Sequence, residues 1–222
     1  MSLRVSQPGL LSLLQDSGRR GQHRIGLTNG GPLDPQAFAC CNRLLQNPEG
    51  ATAIEISFGG LQLEASVDTF ICLTGAVMTL RINNHEQPRW EVLAVKAGDN
   101  ISVEFAQQGC RGYLGVAGGF QVEPSFGSTA TVMRESIGGL SGDKLQADDV
   151  LPCEQVTERK LLYLEPAHQP HYQDRVTVRV IPGYQQKHFS RYQQRRFFSH
   201  AYTVSDRCDR MGYRLEDRKS VV

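Results

Sequence analysis

Glycine and proline interrupt this chain so often that long regular elements are excluded. Its 222 residues include 22 Gly and 10 Pro, which leave short apolar runs at roughly the 8–12-residue spacing of sandwiches and barrels. Some runs alternate between apolar and polar residues, as at 77–83 and 101–105, so that a strand would bury one face. The sequence therefore predicts a mainly β fold with few short helices. The predicted strands are 3–5, 10–14, 53–57, 61–64, 69–73, 77–82, 90–95, 101–105, 112–117, 161–164 and 176–181, with a turn at Asn83-Asn84.

Two segments predict helices. Asp34 can accept hydrogen bonds from the free N–H groups of a first turn, and Pro35 already has the helical φ. The residues that follow are apolar at helical spacing, and 47–50 ends the element. A second helix, basic and amphipathic, is predicted at 188–197. The shared faces are Phe38, Cys41 and Leu45 in the first helix, and Phe189, Tyr192 and Arg196 in the second.

Length and hydropathy predict a globular chain in two parts. A chain of 222 residues that is 40% hydrophobic can bury a sizeable core. Its mean hydropathy of −0.35 and the lack of an apolar stretch of about 20 residues exclude the disordered and membrane-spanning classes. The polar stretch 148–160 predicts a boundary between an N-terminal β subdomain, 1–150, and an incomplete C-terminal β/α part, 151–222. The first residues lack a secretory apolar region, so we expect a cytoplasmic protein.

The charge balance argues against nucleic-acid and membrane partners. The 24 cations and 23 acids leave a formal net charge of +1. The basic, aromatic segment 189–198 would suit nucleic acid, with cations on phosphates and aromatic rings on bases. We favour a surface helix whose rings enter the core while its arginines stay in water, a face that could equally dock an acidic partner. The six cysteines include no CxxC pair, which predicts reduced, mostly buried thiols.

Two suggestive segments do not complete a catalytic or metal motif. In the glycine-rich stretch 138–144, Asp143 interrupts the Gly-Lys pair of a Walker A loop and stands where a nucleophile elbow around Ser141 needs Gly. A cluster of turns is the favoured interpretation. His168 and His171 are three residues apart, but prolines surround them and no nearby side chains complete a ligand set. The sequence therefore predicts a loop there, and no metal site.

Two clusters of charge and glycine point to a binding site. The first, 15–26, combines one acid, four basic residues and three glycines, and leads to 30–34. Glycine lets a backbone approach a ligand, and the arginine fork suits carboxylate or phosphate, so the cluster predicts an anion pocket. The alternative is a flexible hairpin in which Asp16 caps the turn and pairs with Arg19. The second cluster, 205–215, alternates three arginines with acids and a tyrosine, which predicts either a site or a salt-bridged rim.

Nine sequence blocks occur in an order that belongs to one family. They are 15–21, 30–34, 42–47, Glu55, 73–76, 98–99, 111–119, 127–131 and 209–215. Over residues 3–215 the chain resembles the biotin-dependent carboxyltransferase family, also called allophanate hydrolase subunit 2, which includes the C subunit of 5-oxoprolinase and KipA-like proteins. The resemblance implies a cyclophilin-like β-barrel architecture. Family chains continue beyond the last block, so we expect a C-terminally truncated domain whose unpaired strand edges favour association with another chain.

The resemblance also implies a multi-subunit enzyme. Its activity would be ATP-dependent opening of 5-oxo-L-proline, a small acidic substrate, to L-glutamate, and its partners would be the A and KipI-like B subunits of 5-oxoprolinase. The implied cofactor is ATP, with Mg²⁺, and we expect this polypeptide alone to be inactive. Such chemistry needs cations for the phosphoryl group and substrate carboxylate, and carboxylates for a metal ion or proton.

Site roles follow from those needs and from the blocks. Asp34 has helix capping as a competing role. The candidate catalytic residues, as acid/base groups or Mg²⁺ ligands, are Asp16 and Asp34; the anion binders are Arg19, Arg111 and Arg210; and the orienting donors are Asn42 and Tyr213.

Two other functions stay open at this point. Carboxyl transfer from carboxybiotin to urea would use a similar anion pocket, but it needs a biotin carboxylase and a biotin carrier. A non-catalytic, KipA-like protein would bind and antagonise a kinase inhibitor through its β surface. Ligand binding that depends on the B subunit would favour the enzyme, whereas tight binding to the B subunit with no such dependence would favour regulation.

Overall fold

The computed structural model describes residues 1–173, 175–207, 210 and 212–217. The chain divides into two compact units, 1–174 and 175–222, which we call the first and second units. The first unit contains the helix α1 (Pro35–Leu44) and short 3-10 helices at His23–Ile25, Met133–Glu135 and Pro166–His168. Its strands are β1 (Ser2–Pro8), β2 (Leu11–Gln15), β3 (Ala53–Ser57), β4 (Leu61–Ala65), β5 (Thr69–Val77), β6 (Leu80–Ile82), β7 (His85–Gln87), β8 (Val92–Val95), β9 (Asn100–Val103), β10 (Gln108–Val116) and β11 (Val150–Pro152).

These strands form two antiparallel sheets. One has six strands in the order β11-β1-β4-β9-β6-β7, and the other has five in the order β2-β3-β10-β5-β8. In the six-stranded sheet Val5 lies opposite Leu63, and in the five-stranded sheet Tyr113 lies opposite Glu55. The prediction of a mainly β fold is confirmed, and the described strands form open sheets rather than a single closed ring. The domain boundary predicted at 150/151 falls within β11, which pairs with β1.

The main hydrophobic core draws side chains from both sheets. Leu3, Leu63 and Val103 come from the six-stranded sheet, and Ile54 and Leu114 from the five-stranded sheet, each almost inaccessible to solvent. Alternation along the strands explains this arrangement: in β4 the buried Leu61, Leu63 and Ala65 are separated by more exposed residues. Burial of this apolar surface is the principal stabilising contribution to the first unit.

A second core cluster lies where α1 packs on the five-stranded sheet. Asp34 caps the helix by accepting a hydrogen bond from the Ala37 N–H at 3.0 Å, and Pro35 begins it, as predicted. Cys41 and Leu45 face β10 at Gly115, where any Cβ would lie 2.7 Å from both the Cys41 sulfur and a Leu45 methyl carbon. The absence of a side chain at this position therefore sets how closely the helix approaches the sheet.

Three predicted strands are corrected. The 77–82 run is divided, because β5 ends at Val77 in one sheet and β6 begins at Leu80 in the other; the alternation continues while the hydrogen-bonding partner changes. Segment 161–164 forms an isolated bridge from Tyr163 to Glu91, since it meets the edge strand at few backbone groups. Segment 176–181 alternates like a strand, but it is solvent-exposed and pairs with no strand in the described part of the chain. The Asn83-Asn84 turn is confirmed, with φ of 51° and 66°.

The second unit contains a 3-10 helix at Tyr184–His188, α2 (Arg191–Ser199), β12 (Tyr202–Val204) and β13 (Leu215–Asp217), and the two strands pair antiparallel. A capping box begins α2: Ser190 accepts from the Gln193 N–H, and the Gln193 side chain accepts from the Ser190 N–H. The helix is thus displaced from the predicted 188–197. Its aromatic side chains do not enter a core as expected: Tyr192 is 73% and Phe198 63% exposed. No helix among the described residues is long and apolar enough to span a membrane.

Candidate functional site

The turn after β2 is held by the carboxylate of Asp16. Its Oδ1 accepts from the Gly18 N–H at 2.8 Å and from the Ser128 hydroxyl at 2.6 Å, and its Oδ2 accepts from the Thr129 N–H at 2.8 Å. The first bond is the local capping that the hairpin alternative predicted. The other two attach the turn to a segment more than a hundred residues away, which spacing along the chain could not reveal.

Arg19 lies inside the protein, with a relative exposure of 1%. Its Nη2 donates to the Ala130 carbonyl at 2.6 Å, and its Nε donates to the Ser125 carbonyl at 3.3 Å. Burial lowers the pKa of the Arg19 guanidinium, and the charge of Asp16 opposes this effect. Gly138 packs against it, since a Cβ there would lie 2.0 Å from the Ala130 oxygen and 2.9 Å from Arg19 Nη2. Gly138, the first residue of the glycine-rich stretch 138–144, therefore lies against the Arg19 side chain.

A chain of hydrogen bonds runs from the five-stranded sheet to the start of α1. Glu55, which is fully buried, accepts from the Leu33 N–H and from the Tyr113 hydroxyl, both at 2.8 Å. The Tyr113 oxygen accepts in turn from the Asp34 N–H at 2.7 Å. The Tyr172 hydroxyl donates to Asp34 Oδ2 at 2.6 Å. This chain fixes the 30–34 loop and the first turn of the helix as one piece.

The Tyr113 and Tyr172 phenols in this series of hydrogen bonds remain protonated. Burial, followed by the charge of Glu55, raises the pKa of Tyr113 far above its ordinary value. Burial and the hydrogen bond to Asp34 raise the pKa of Tyr172 in the same direction. Both hydroxyls therefore act as hydrogen-bond donors throughout the physiological pH range, and neither is placed to act as a general base.

Arg111 lies beside this chain on β10. Its guanidinium carbon is 5.5 Å from the centroid of the Phe58 ring, and its Nε is 4.0 Å from Glu55 Oε1. Phe58 is half-exposed, so Arg111 is shielded on one face and close to the surface on the other. Of the two predicted anion binders in the first unit, Arg19 and Arg111, Arg111 lies closer to the protein surface.

A cleft of about 300 Å³ opens between the Asp16 turn and α1. Asn42 contributes to its wall but has structural partners: its Nδ2 donates to the Ala51 carbonyl, and its Oδ1 accepts from Asn47. The other lining side chains that matter here are Ser17, Arg20, Phe38, Arg43 and Glu49. The structure thus brings Asn42 to the cleft, whereas Asp16, Arg19 and Asp34 are sequence neighbours of lining residues and do not line it themselves.

The predicted Mg²⁺ ligands do not fit a metal ion as they are placed. Both oxygens of Asp16 accept hydrogen bonds, and those of Asp34 accept from the Ala37 N–H and the Tyr172 hydroxyl. Across the described ranges, no group of three or more His, Cys, Asp or Glu could hold a metal ion. Mg²⁺ needs several oxygen ligands in near-octahedral geometry, which these two carboxylates do not offer.

Two predicted site residues belong to the second unit. Arg210 is half-buried and Tyr213 is 73% exposed. Their neighbours in the motif, Asp209 and Met211, lie outside the described residues, as does Cys208. The proposed roles of Arg210 and Tyr213 therefore stay predictions.

A match over most of the sequence identifies the family of this chain. The family model for the carboxyltransferase domain, subdomain A and B, matches residues 25–221. The chain belongs to this carboxyltransferase-domain family. The resemblance predicted from the nine sequence blocks is thereby confirmed.

Relatives of this carboxyltransferase-family chain carry more than one enzyme name. The 5-oxoprolinase C subunit of Escherichia coli strain K12 is 34% identical over 96% of this chain and 68% of that protein. The protein of the same name from Haemophilus influenzae is 33% identical over 91% of this chain and 64% of its own length. The crystal structure of the Kluyveromyces lactis urea carboxylase matches with a TM-score of 0.85 at 29% identity, over 96% of this chain and 20% of that one. This chain thus spans about two thirds of its bacterial relatives.

Sequence reasoning missed several residues that shape the site of this family member. Arg20 and Arg43 line the cleft, although both stand within recognised blocks, next to residues that were selected. Tyr113 and Tyr172 were overlooked because their partners, Glu55 and Asp34, are 58 and 138 residues away in sequence. Glu55 is one of the nine blocks but has no predicted role; the signal for one is a lone acid in an otherwise uncharged strand, Ala53–Ser57, since a buried carboxylate requires specific donors.

Proposed function

We propose that this chain is the C subunit of an ATP-dependent 5-oxoprolinase, which opens 5-oxo-L-proline to L-glutamate together with the A and KipI-like B subunits. The observation that carries the proposal is the 34% identity to the Escherichia coli 5-oxoprolinase C subunit, which extends over 96% of this chain. A cleft of about 300 Å³ with arginines in its lining suits a small acidic metabolite. The five described cysteines are free thiols, which agrees with a cytoplasmic location.

The chemistry of lactam opening explains why several chains are needed. An amide is a poor electrophile with a poor leaving group, and ATP, when bound, supplies phosphorylation of the amide oxygen. This chain's part is to bind and orient the substrate, with Arg111 as an additional anion-binding candidate and Asp16 and Arg19 shaping the turn beside the cleft. Because Asp16 and Asp34 do not fit Mg²⁺, we assign the nucleotide and its metal to a site that the partner subunits complete.

Reconstitution tests this function. The full chain would be purified with its A and B subunits, and L-glutamate release from 5-oxo-L-proline and ATP hydrolysis would be measured for the complete set and for each omission. We expect coupled turnover for the complete set and none for this chain alone. The Escherichia coli complex serves as the positive control. Turnover by the isolated chain, or an inactive complete set beside an active control, would contradict the proposal.

A second candidate function is carboxyl transfer from carboxybiotin to urea. The observation that favours it is the TM-score of 0.85 to the Kluyveromyces lactis urea carboxylase. Urea carries no charge, so an arginine-lined cleft would have to receive the carboxyl group rather than the acceptor. Urea-dependent loss of the carboxyl group from a carboxylated biotin carrier would support this alternative, and its absence beside active 5-oxoprolinase would remove it.

A further inference from the structure

The cleft beside α1 is lined by two arginines whose side chains contact no described hydrogen-bond or ion-pair partner. Arg20 follows the buried Arg19 on the turn, and Arg43 lies in the last turn of the helix. Both side chains are solvent-exposed. Among the described residues, neither guanidinium forms a salt bridge or a hydrogen bond. Their charges therefore remain available to an anion in the cleft.

In the first unit, two other arginines are committed to protein partners. Arg19 donates to two carbonyl groups inside the protein. A wider groove of about 640 Å³ on the six-stranded sheet contains Arg81, but the Nε of Arg81 is 2.6 Å from Glu104 Oε1 and its Nη2 is 3.8 Å from Glu86 Oε2. The glycine-rich turn predicts an anion pocket, and Arg20 is better placed than Arg19 to bind an anion there.

Size and charge restrict what the cleft can hold. Its volume of about 300 Å³ is at the lower end of the roughly 300–1,000 Å³ range of ligand pockets. The charged lining residues are Arg20, Arg43 and Glu49, a net charge of +1. A lining with a net charge of +1 compensates the single negative charge of a monocarboxylate, whereas a nucleoside triphosphate would bring several negative charges beside Glu49.

The walls of the cleft suit a small ring. Phe38 supplies an aromatic surface, and Pro32 and Pro35 add rigid apolar contacts. Gly50 lets Ser17 pack closely against it in the wall of the cleft: its φ is +81°, and a Cβ there would lie 2.3 Å from the Ser17 hydroxyl oxygen. A cyclic amide with one carboxylate could contact the apolar wall while its carboxylate faces the arginines.

We propose that this cleft is the subsite for the carboxylate of the small cyclic amide substrate, with Arg20 and Arg43 as its binding residues. The inference rests on the proposed function, because it names where that substrate binds. It differs from the expectation drawn from the sequence, which placed Arg19 at the anion. Loss of a hydrogen bond to a charged group costs about 1.5–3 kcal/mol, which corresponds to at least about a tenfold loss of affinity.

The test uses the assembled complex with Arg20→Ala, Arg43→Ala and the double variant. We expect each single variant to raise the KM for 5-oxo-L-proline by about tenfold or more, while kcat and the KM for ATP stay within about twofold. In parallel, 5-oxo-L-proline would be titrated calorimetrically into the complex without ATP. Saturable binding by the wild type should be lost in the double variant.

Arg134→Ala is the matched control, since Arg134 is an exposed arginine outside the cleft. The control should leave both KM values unchanged. An unchanged KM for 5-oxo-L-proline in the double variant, a raised KM for ATP instead, or equal calorimetric binding by double variant and wild type would overturn the inference. A wild-type complex that binds 5-oxo-L-proline through these arginines without converting it would contradict the proposed function alone.

Discussion

At the scale of single residues, Glu55 shows how much a buried carboxylate depends on its partners. The side chain is fully buried, and one of its carboxylate oxygens accepts hydrogen bonds from the Leu33 N–H and the Tyr113 hydroxyl. Removing a charge from water is costly unless hydrogen bonds replace its hydration. Glu55 therefore stabilises the 30–34 loop only as long as both donors are present, and the donors in turn require the acceptor.

Glu55→Ala should be strongly destabilising. It leaves the buried Tyr113 hydroxyl without this acceptor, at about 1–3 kcal/mol, and it also removes the acceptor of the partly buried Leu33 N–H. We expect the free energy of unfolding, measured by urea denaturation, to fall by about 2 kcal/mol or more. Tyr113→Phe removes one donor and should cost less. Glu123→Ala, at an exposed acid, is the control and should change stability by less than about 0.5 kcal/mol; equal losses in Glu55→Ala and the control would refute the argument.

Arg19 and Arg20 show that the environment of a residue depends on partners that are distant in sequence. Arg19 and Arg20 are identical in type and lie on one turn, yet the first is buried against carbonyl groups and the second lines the cleft. The difference comes from the segment 125–139, which closes over one side of the turn only. Residue type predicts an anion site on this turn, but which of the two arginines lines the cleft depends on the distant segment.

At the scale of elements, the start of α1 is fixed both by the local sequence and by a tertiary contact. Asp34 caps the helix with one carboxylate oxygen and accepts from Tyr172 with the other. The first bond is local and follows from the Asp-Pro pair. The second attaches the 161–173 segment to the helix, so one side chain joins three parts of the first unit.

Substitutions at Asp34 should separate these two contributions. Asp34→Ala loses the cap, at about 1 kcal/mol, and also the bond from Tyr172. Asp34→Asn retains an acceptor oxygen for the Ala37 N–H, so it should be less destabilising than Asp34→Ala in thermal or urea unfolding. Tyr172→Phe leaves the cap intact and removes the other bond alone. If Asp34→Asn proved as destabilising as Asp34→Ala, the cap would not be the main contribution.

The sequence predicts strand structure on both sides of the break between β5 and β6, but it does not show that the two strands pair in different sheets. Apolar residues continue through 77–82, yet β5 pairs with β10 and β8 while β6 pairs with β9 and β7. Period-two patterning reports which face is buried and carries no information about the partner strand. A continuous pattern can therefore extend from one sheet into the other.

At the scale of the whole molecule, the core is built without covalent links between the described cysteines. Cys40, Cys41, Cys72, Cys110 and Cys153 are all free thiols. The Cys41 sulfur donates to the Cys72 carbonyl at 3.3 Å. A hydrogen bond between the Cys41 and Cys72 side chains, followed by burial, raises the pKa of Cys72, and burial raises the pKa values of Cys40 and Cys153. These groups remain protonated and poorly reactive at neutral pH.

The thiols should therefore behave as buried apolar side chains. In a Cys208→Ser background, which removes the cysteine outside the described residues, Tm should be the same with and without a reductant. A thiol reagent should titrate five groups after denaturation without reduction, and it should modify native Cys41 and Cys72 slowly, because both are buried. Fewer than five titratable groups in the denatured chain would show a disulfide and contradict the expectation.

The sequence by itself determined the features that arise within a few neighbouring residues or from the order of motifs. Glycine and proline spacing limited the elements to short strands, Asp34-Pro35 specified the start of α1, and the nine blocks identified the family. Tertiary structure alone decided that Glu55 and Arg19 are buried, that Arg20 and Arg43 share a cleft, and that the 77–82 run divides between sheets. Local preferences act through backbone sterics and adjacent hydrogen bonds, whereas burial and pairing depend on segments brought together from distant parts of the chain.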